Sequence, residues 1–261
     1  MKKIRQEFIY FLTAVMFFTR IPIPIRLPWN EAIMNQSQKY YSWTGLIVGA
    51  VYTATFLLGH YLFGETIAVI LAICSGVLLT GAFHEDGFTD VCDAFGGGYG
   101  KERILTIMKD SRIGAYGTIG ICLLLLLKFS TLLQITITQS LSFICFALIT
   151  GNTASRFIAA TTIYTHKYVR HDDTSKAKPV ADKALPFHAL IIGFTAVLVP
   201  FLFFGQWKYM LALPVAYLAK VWMAAYFKKQ IGGYTGDCLG AIQQVSELVF
   251  YLSCIAIWKF I

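Results

Sequence analysis

Seven stretches of about twenty residues, at 43–63, 66–84, 113–133, 139–163, 188–205, 209–227 and 241–258, carry few or no charges. A helix needs that length to cross roughly 30 Å of hydrocarbon. A chain with so many has few architectures open to it, because in lipid the backbone must satisfy its own hydrogen bonds. The expectation is an all-α, polytopic membrane protein of about seven transmembrane helices. Residues 1–261 then form a single membrane domain with no separate soluble module. Composition agrees, at 57% apolar, 14% charged and a mean hydropathy of +0.62.

The apolar stretch 8–19 is too short for a comfortable span and is read as a re-entrant or interfacial helix. It follows Lys2-Lys3-Ile4-Arg5, as in a signal sequence. The residues after it, Thr19-Arg20-Ile21-Pro22-Ile23-Pro24, offer no small-x-small cleavage site, so it is kept as mature protein.

A formal charge of +8 raises the question of nucleic-acid binding. The basic residues sit instead in alternate short loops. Segments 1–42, 85–112, 164–187 and the loop holding Lys228 and Lys229 contain 17 of the 22 Lys and Arg. The intervening loops and the C-terminus hold only Lys208 and Lys259. That asymmetry is the signature of cytoplasmic loops and predicts a cytoplasmic N-terminus in a bacterial or archaeal cytoplasmic membrane, with no nucleic-acid partner. Loops 85–112, 164–187 and 228–240 then form one active face. The polar run 165–186, with Asp172, Asp173, Lys176 and Lys178, reads as a mobile connector on that face. The six cysteines have no CxxC or zinc spacing and read as free thiols.

His84, Glu85, Asp86, Asp90 and Asp93 fall within ten positions. If the second helix continues through them, Asp86, Asp90 and Asp93 share one face at offsets 0, 4 and 7. Like charges stacked in this way repel and weaken a helix. A hard divalent cation offsets the repulsion, and carboxylate oxygens suit Mg²⁺ or Mn²⁺, which recruit substrate phosphates to complete their shell. An exposed acidic face neutralised by neighbouring cations is the plainer reading.

Gly96-Gly97-Gly98-Tyr99-Gly100-Lys101 follows. It is not a Walker A loop, but the amides of Gly97 and Gly98 are candidates for close approach to an anion, and a flexible turn is the alternative. Lys109 and Arg112 can meet phosphate oxygens or simply anchor the next span. Arg156, Lys220 and Glu247 lie inside spans, where an unpaired charge is costly. They are expected in the cytoplasmic half, lining a polar cavity, although snorkelling is the better reading of Lys220 taken alone. Lys128 is expected to snorkel at the outer end. Asp237, in Gly232-Gly233-Tyr234-Thr235-Gly236-Asp237, either caps the last helix or completes a metal or substrate site.

Four blocks together resemble the adenosylcobinamide-GDP ribazoletransferase (cobalamin synthase) family. They are Phe18-Thr19-Arg20-Ile21-Pro22-Ile23-Pro24, His84-Glu85-Asp86-Gly87-x-x-Asp90-x-x-Asp93, Met108-Lys109-Asp110-Ser111-Arg112-Ile113-Gly114, and Gly233-Tyr234-Thr235-Gly236-Asp237-x-x-Gly240-Ala241. Their order matches the family and they extend over almost the whole chain. Near Arg156 the family often shows Gly-Arg, where this chain has Ser155-Arg156.

The resemblance implies a Mg²⁺-dependent integral membrane transferase. It would join adenosylcobinamide-GDP to α-ribazole or α-ribazole 5′-phosphate and release GMP. It implies metal ligation by Asp86, Asp90 and Asp93, with Glu85 and Asp237 as further ligands or orienters. His84, Glu85 and Asp90 are the candidates for proton transfer, with a structural His84 equally open. Lys109, Arg112, Arg20 and Arg156 are the candidate phosphate contacts. The partners are then the two substrates and the lipid bilayer, with a homo-oligomer left open. Two rival readings stand beside it: a cation-coupled transporter, and a CDP-alcohol-type phosphotransferase, whose longer spaced carboxylate signature is absent here.

Overall fold

The structure is a computed structural model and describes residues 2–170 and 183–261. Most of the connector 165–186, including Asp172, Asp173, Lys176 and Lys178, lies outside the described residues. Among these, eleven α-helices form: α1 (Lys2–Phe18), α2 (Glu31–Ser37), α3 (Tyr41–Phe63), α4 (Glu65–Thr80), α5 (Phe83–Gly97), α6 (Lys101–Ile107), α7 (Ala115–Thr138), α8 (Leu141–Thr165), α9 (His188–Phe204), α10 (Ala212–Ile231) and α11 (Gly236–Phe260).

Among the described residues five segments are long and apolar enough to cross a membrane: Glu31–Phe63, α7, α8, Trp207–Ile231 and α11. The 16-residue α4, the apolar limb of the bent pair α4–α5, and the 17-residue α9 occupy the two remaining expected spans. The all-α polytopic expectation therefore holds. The apolar 8–19 stretch forms part of α1, whose helix begins earlier, at Lys2.

The burial of the spans sorts them into two layers. In their most apolar windows α8 and α11 are 89% and 72% buried, against 28–33% for the other long spans. Two helices thus form the core, and the rest present Leu123, Leu126, Leu218 and Trp222 outward. Between helices in lipid the attraction comes from close packing, which small residues permit. Gly45 and Gly49, four apart on α3, serve that end. A Cβ on Gly45 would stand 2.6 Å from the Asn152 carbonyl oxygen, and one on Gly49 would stand 2.7 Å from the Ile149 Cα.

One expectation is corrected. The second span does not run on through the acidic cluster, because α4 stops at Thr80 and α5 sets off at 89° to it. The corner is made by Gly81 (φ 65°) and Ala82 (φ 57°), both left-handed. Glycine takes that conformation freely, whereas alanine crowds its Cβ against the backbone at roughly 1–2 kcal/mol. The acidic helix therefore lies across the end of the bundle, outside the spans.

Several helix ends are tied to one another. Tyr41 at the start of α3 meets His84 on α5, and Trp43 Nε1 donates to the Ile192 carbonyl on α9. Lys220 on α10 reaches Thr165 at the end of α8, and Tyr168 and Tyr234 form a short parallel bridge.

Candidate active site

At about 100° per residue, Asp86, Asp90 and Asp93 occupy one narrow stripe of α5, as their spacing predicts. Asp86 is exposed, and Asp90 and Asp93 are partly so. The start of α11 closes against this helix. A Cβ on Gly87 would lie 3.0 Å from the Asp237 Cα, so glycine at 87 is what lets the backbones touch. Asp237 is brought to the stripe as a fourth carboxylate. It is not the cap of its helix: Thr235 is the N-cap, its hydroxyl accepting from the Cys238 amide at 3.3 Å. Asp237 Oδ2 instead faces Arg170 Nη1 at 3.4 Å.

The electrostatics follow from this crowding. Asp90 is pushed up to about 7, first by burial, then by the charges of Asp237, Asp86 and Asp93, with Arg170 opposing. Burial also raises Asp237, which Arg170 partly counters. Asp93 is braced differently. Its Oδ2 accepts from the Gly114 amide at 2.7 Å and its Oδ1 from the Gly117 amide at 2.8 Å, clasping α5 to the first turn of α7. An anion there also meets the favourable end of the α7 dipole.

Among the described residues no three His, Cys, Asp or Glu side chains close around one point as a metal cage. Mg²⁺ is commonly held by only one or two carboxylates plus substrate phosphates, so Asp86 and Asp237 fit it by chemistry: hard oxygen donors beside an Asp90 that burial first, and their charges second, push upward.

The two residues preceding Asp86 turn away from the stripe, for the same helical reason that aligns the aspartates. Glu85 is 8% exposed and accepts from Gln244 Nε2 at 2.9 Å, inside the bundle. His84 is 1% exposed, 2.7 Å from the Tyr41 hydroxyl, and held well below its usual pKa, first by burial and then by Arg156 and Lys128. A cavity of only ≈30 Å³ adjoins it, lined by Phe17, Phe18 and Phe83 among others.

The predicted phosphate contacts are dispersed. Arg20 is exposed at the α4–α5 corner, its side chain lying against Gly81. Lys109 is exposed. Arg112 is exposed and engages Asp110, Nη2 to Oδ2 at 2.6 Å, holding that carboxyl near pKa 2 through hydrogen bonds. The glycine run is not a loop from its start: α5 continues through Gly97, and Gly98 ends it with its amide on the Ala94 carbonyl. Arg156 is 2% exposed, its Nη1 donating to the Asn152 carbonyl and Oδ1, both at 2.9 Å. It lies in the bundle core, away from the open stripe.

Two intramembrane expectations change. Lys128 does not snorkel. It is fully buried halfway along α7, donating to Gln244 Oε1 at 2.8 Å and lying 3.4 Å from Glu247 Oε1. Glu247 is correspondingly mid-helix in α11 and pairs with Lys128 rather than lining an open cavity. Lys220 is 1% exposed, its Nζ donating to Thr165 Oγ1 at 3.0 Å. Sequence reasoning did not single out Gln243, Gln244 or Arg170. The signal for the glutamines was a pair of amides four and three residues before an intramembrane glutamate.

The family profile described as Cobalamin-5-phosphate synthase matches residues 10–255. Curated relatives named "Adenosylcobinamide-GDP ribazoletransferase" match nearly end to end. The Shewanella amazonensis protein is 41% identical over 259 residues, covering 99% of each chain. The one from Shewanella frigidimarina is 40% identical over 256 residues, 98% of this chain and 97% of that one. The Vibrio parahaemolyticus protein is 41% identical over 256 residues, 98% and 95%. No solved structure matches the chain.

Proposed function

Since the chain belongs to the cobalamin-5-phosphate synthase family, matched over residues 10–255, we propose that it joins adenosylcobinamide-GDP to α-ribazole or its 5′-phosphate at the acidic stripe of α5. The observation that carries the site is the meeting of four carboxylates from α5 and α11, one of them lifted to about 7, at one end of a membrane bundle. The acceptor hydroxyl oxygen bonds to the cobinamide-side phosphorus. The bond from that phosphorus to the bridging pyrophosphate oxygen breaks, and GMP leaves with the electron pair.

Phosphoryl transfer depends mainly on positioning and on neutralising charge. Asp86 and Asp237 would hold Mg²⁺, which when bound supplies charge neutralisation on the phosphate oxygens. Asp90, partly buried between them and near neutrality, takes the proton of the attacking hydroxyl at a carboxylate oxygen. That is the range in which a general base works best. Asp93 holds the stripe against α7. Arg170, 3.4 Å from Asp237, would meet phosphate there. His84, neutral and enclosed, orients the α3–α5 contact through Tyr41. The loop charge asymmetry supports a cytoplasmic orientation of this face in the cytoplasmic membrane. A transporter with paired broken helices finds less support, since the described residues contain one bent pair, α4–α5.

The test is GMP release by membranes given adenosylcobinamide-GDP, α-ribazole and Mg²⁺. Turnover should vanish with chelator and in Asp90→Asn. Undiminished release under either condition removes the role given to these carboxylates.

A further inference from the structure

Beside the acidic stripe, and used by no step above, is a pocket of ≈370 Å³ lined by Tyr164, Thr165, His166, Lys167, Lys228 and Gly232. That size falls within the range of small-molecule sites. Further cations adjoin it. Lys220 Nζ donates to Thr165, a lining residue, and Lys101 Nζ stands 3.8 Å from where a Cβ on Gly232 would be. Lys167 at the α8 exit and Lys228 on α10 line the concavity, Lys101 at the start of α6 stands at its Gly232 rim, and the buried Lys220 lies behind its Thr165 wall. None of the four makes an ion pair among the described residues, and no carboxylate is among the lining groups. Lys228 alone would be an ordinary helix C-terminal cation. Lys167 and Lys220 likewise stand at the C-terminus of α8, but Lys101 opens α6, so helix dipoles do not explain its approach to the same hollow.

The pocket is tied to the reaction site by backbone. Residues 167–169 run alongside Tyr234, with the Tyr234 amide donating to the Lys167 carbonyl and the Val169 amide to the Tyr234 carbonyl, each at 3.0 Å. One residue further, Arg170 meets Asp237. Three extended residues from Lys167 to Arg170 span about 10 Å. A ligand reacting at the carboxylates can thus place a second anionic group in the basic hollow.

Resting on the reaction proposed above, we propose that this pocket binds a phosphate group carried by a molecule other than the scissile diphosphate. The two sources with that chemistry are the 5′-phosphate of a phosphorylated acceptor nucleoside and the headgroup of an anionic lipid. Lysines grip either through charge-assisted hydrogen bonds.

The test uses the full chain in lipid nanodiscs with Mg²⁺, carrying Asp90→Asn so that binding is read without turnover. Binding of α-ribazole 5′-phosphate and of α-ribazole is measured by calorimetry, and retained lipid by mass spectrometry. An acceptor site gives a preference for the phosphorylated nucleoside, which Lys167→Gln with Lys228→Gln lowers about tenfold for each cation removed. Lys228→Arg keeps it. A headgroup site leaves that preference unmoved but loses a retained anionic lipid in the double variant. The proposal is overturned if neither the preference nor the retained lipid changes. A variant pair that shifts binding while wild-type membranes release no GMP would defeat the assigned reaction and leave the phosphate site standing.

Discussion

The molecule holds two groups of charged side chains that solve the same electrostatic problem in opposite ways. Inside the bundle, Lys128 Nζ serves Gln244 and Glu247, and Gln244 Nε2 serves Glu85. Gln243 Nε2 donates to Glu247 Oε2, and Tyr251 donates to Glu247 Oε1. Negative charge there is met by donors from the protein itself. At the end of the bundle, Asp86, Asp90, Asp93 and Asp237 share the Arg170 guanidinium and the amides of Gly114 and Gly117. Among the described residues the interior group meets every carboxylate oxygen but Glu85 Oε2 with a donor and serves the fold, whereas the terminal group is short of positive charge and is suited to recruiting it from outside.

The sharpest way to break this contrast is Asp90→Asn. Loss of a positioned general base is worth about 10²–10⁴ in rate, so GMP release should fall by that much while the melting temperature holds or rises, since a repulsive charge is gone. A variant that unfolds instead would make Asp90 structural, like the interior group. Next in size is Lys128→Met. It strands Glu247 in the bundle, and breaking a buried pair costs about 3–5 kcal/mol. Thermal unfolding in detergent should show the loss, and adding Glu247→Met should restore most of it. A double variant as unstable as the single would show that the pair is not the interior's organising contact.

A smaller effect concerns pH. In chelated protein Asp90 has a folded pKa of about 7, above its ordinary value near 3.8, so the folded state holds an extra proton between those limits. Stability should therefore decline as pH rises from about 4 through 7 and level off above it, with Asp90→Asn flattening the slope and Mg²⁺ opposing it. Smallest is Thr235→Ala, which removes the cap of α11 at about 1 kcal/mol. Because the Thr235 hydroxyl also donates to Asp237 Oδ2 at 3.4 Å, the substitution should also raise the Mg²⁺ concentration needed for half-maximal turnover. Unchanged metal dependence would separate the cap from the site.

Legibility in the sequence followed the range of the interaction. The spans could be read because hydropathy is a sum along contiguous residues, and the aspartate stripe because helical period is local. The α4–α5 corner escaped, since Gly81 flags a turn but Ala82 gives no sign of its left-handed backbone. Lys128 was misplaced for a different reason: its hydrogen-bond partner Gln244 lies 116 residues away, and no window along the chain can see it. Glu85 was grouped with its acidic neighbours, although a single step of helical rotation carries it from the stripe into the core.

The clasp between Asp93 and α7 reaches further than the site. With 24 residues α7 is about 36 Å long, more than the roughly 30 Å of hydrocarbon it crosses. Over-long helices accommodate by tilting, kinking or locally thickening the bilayer, within what their packing allows. The acidic helix is fastened to the first turn of α7, so a change in the tilt of α7 would carry the carboxylates with it. Turnover that varies with acyl-chain length in reconstituted vesicles is the expected sign of this linkage.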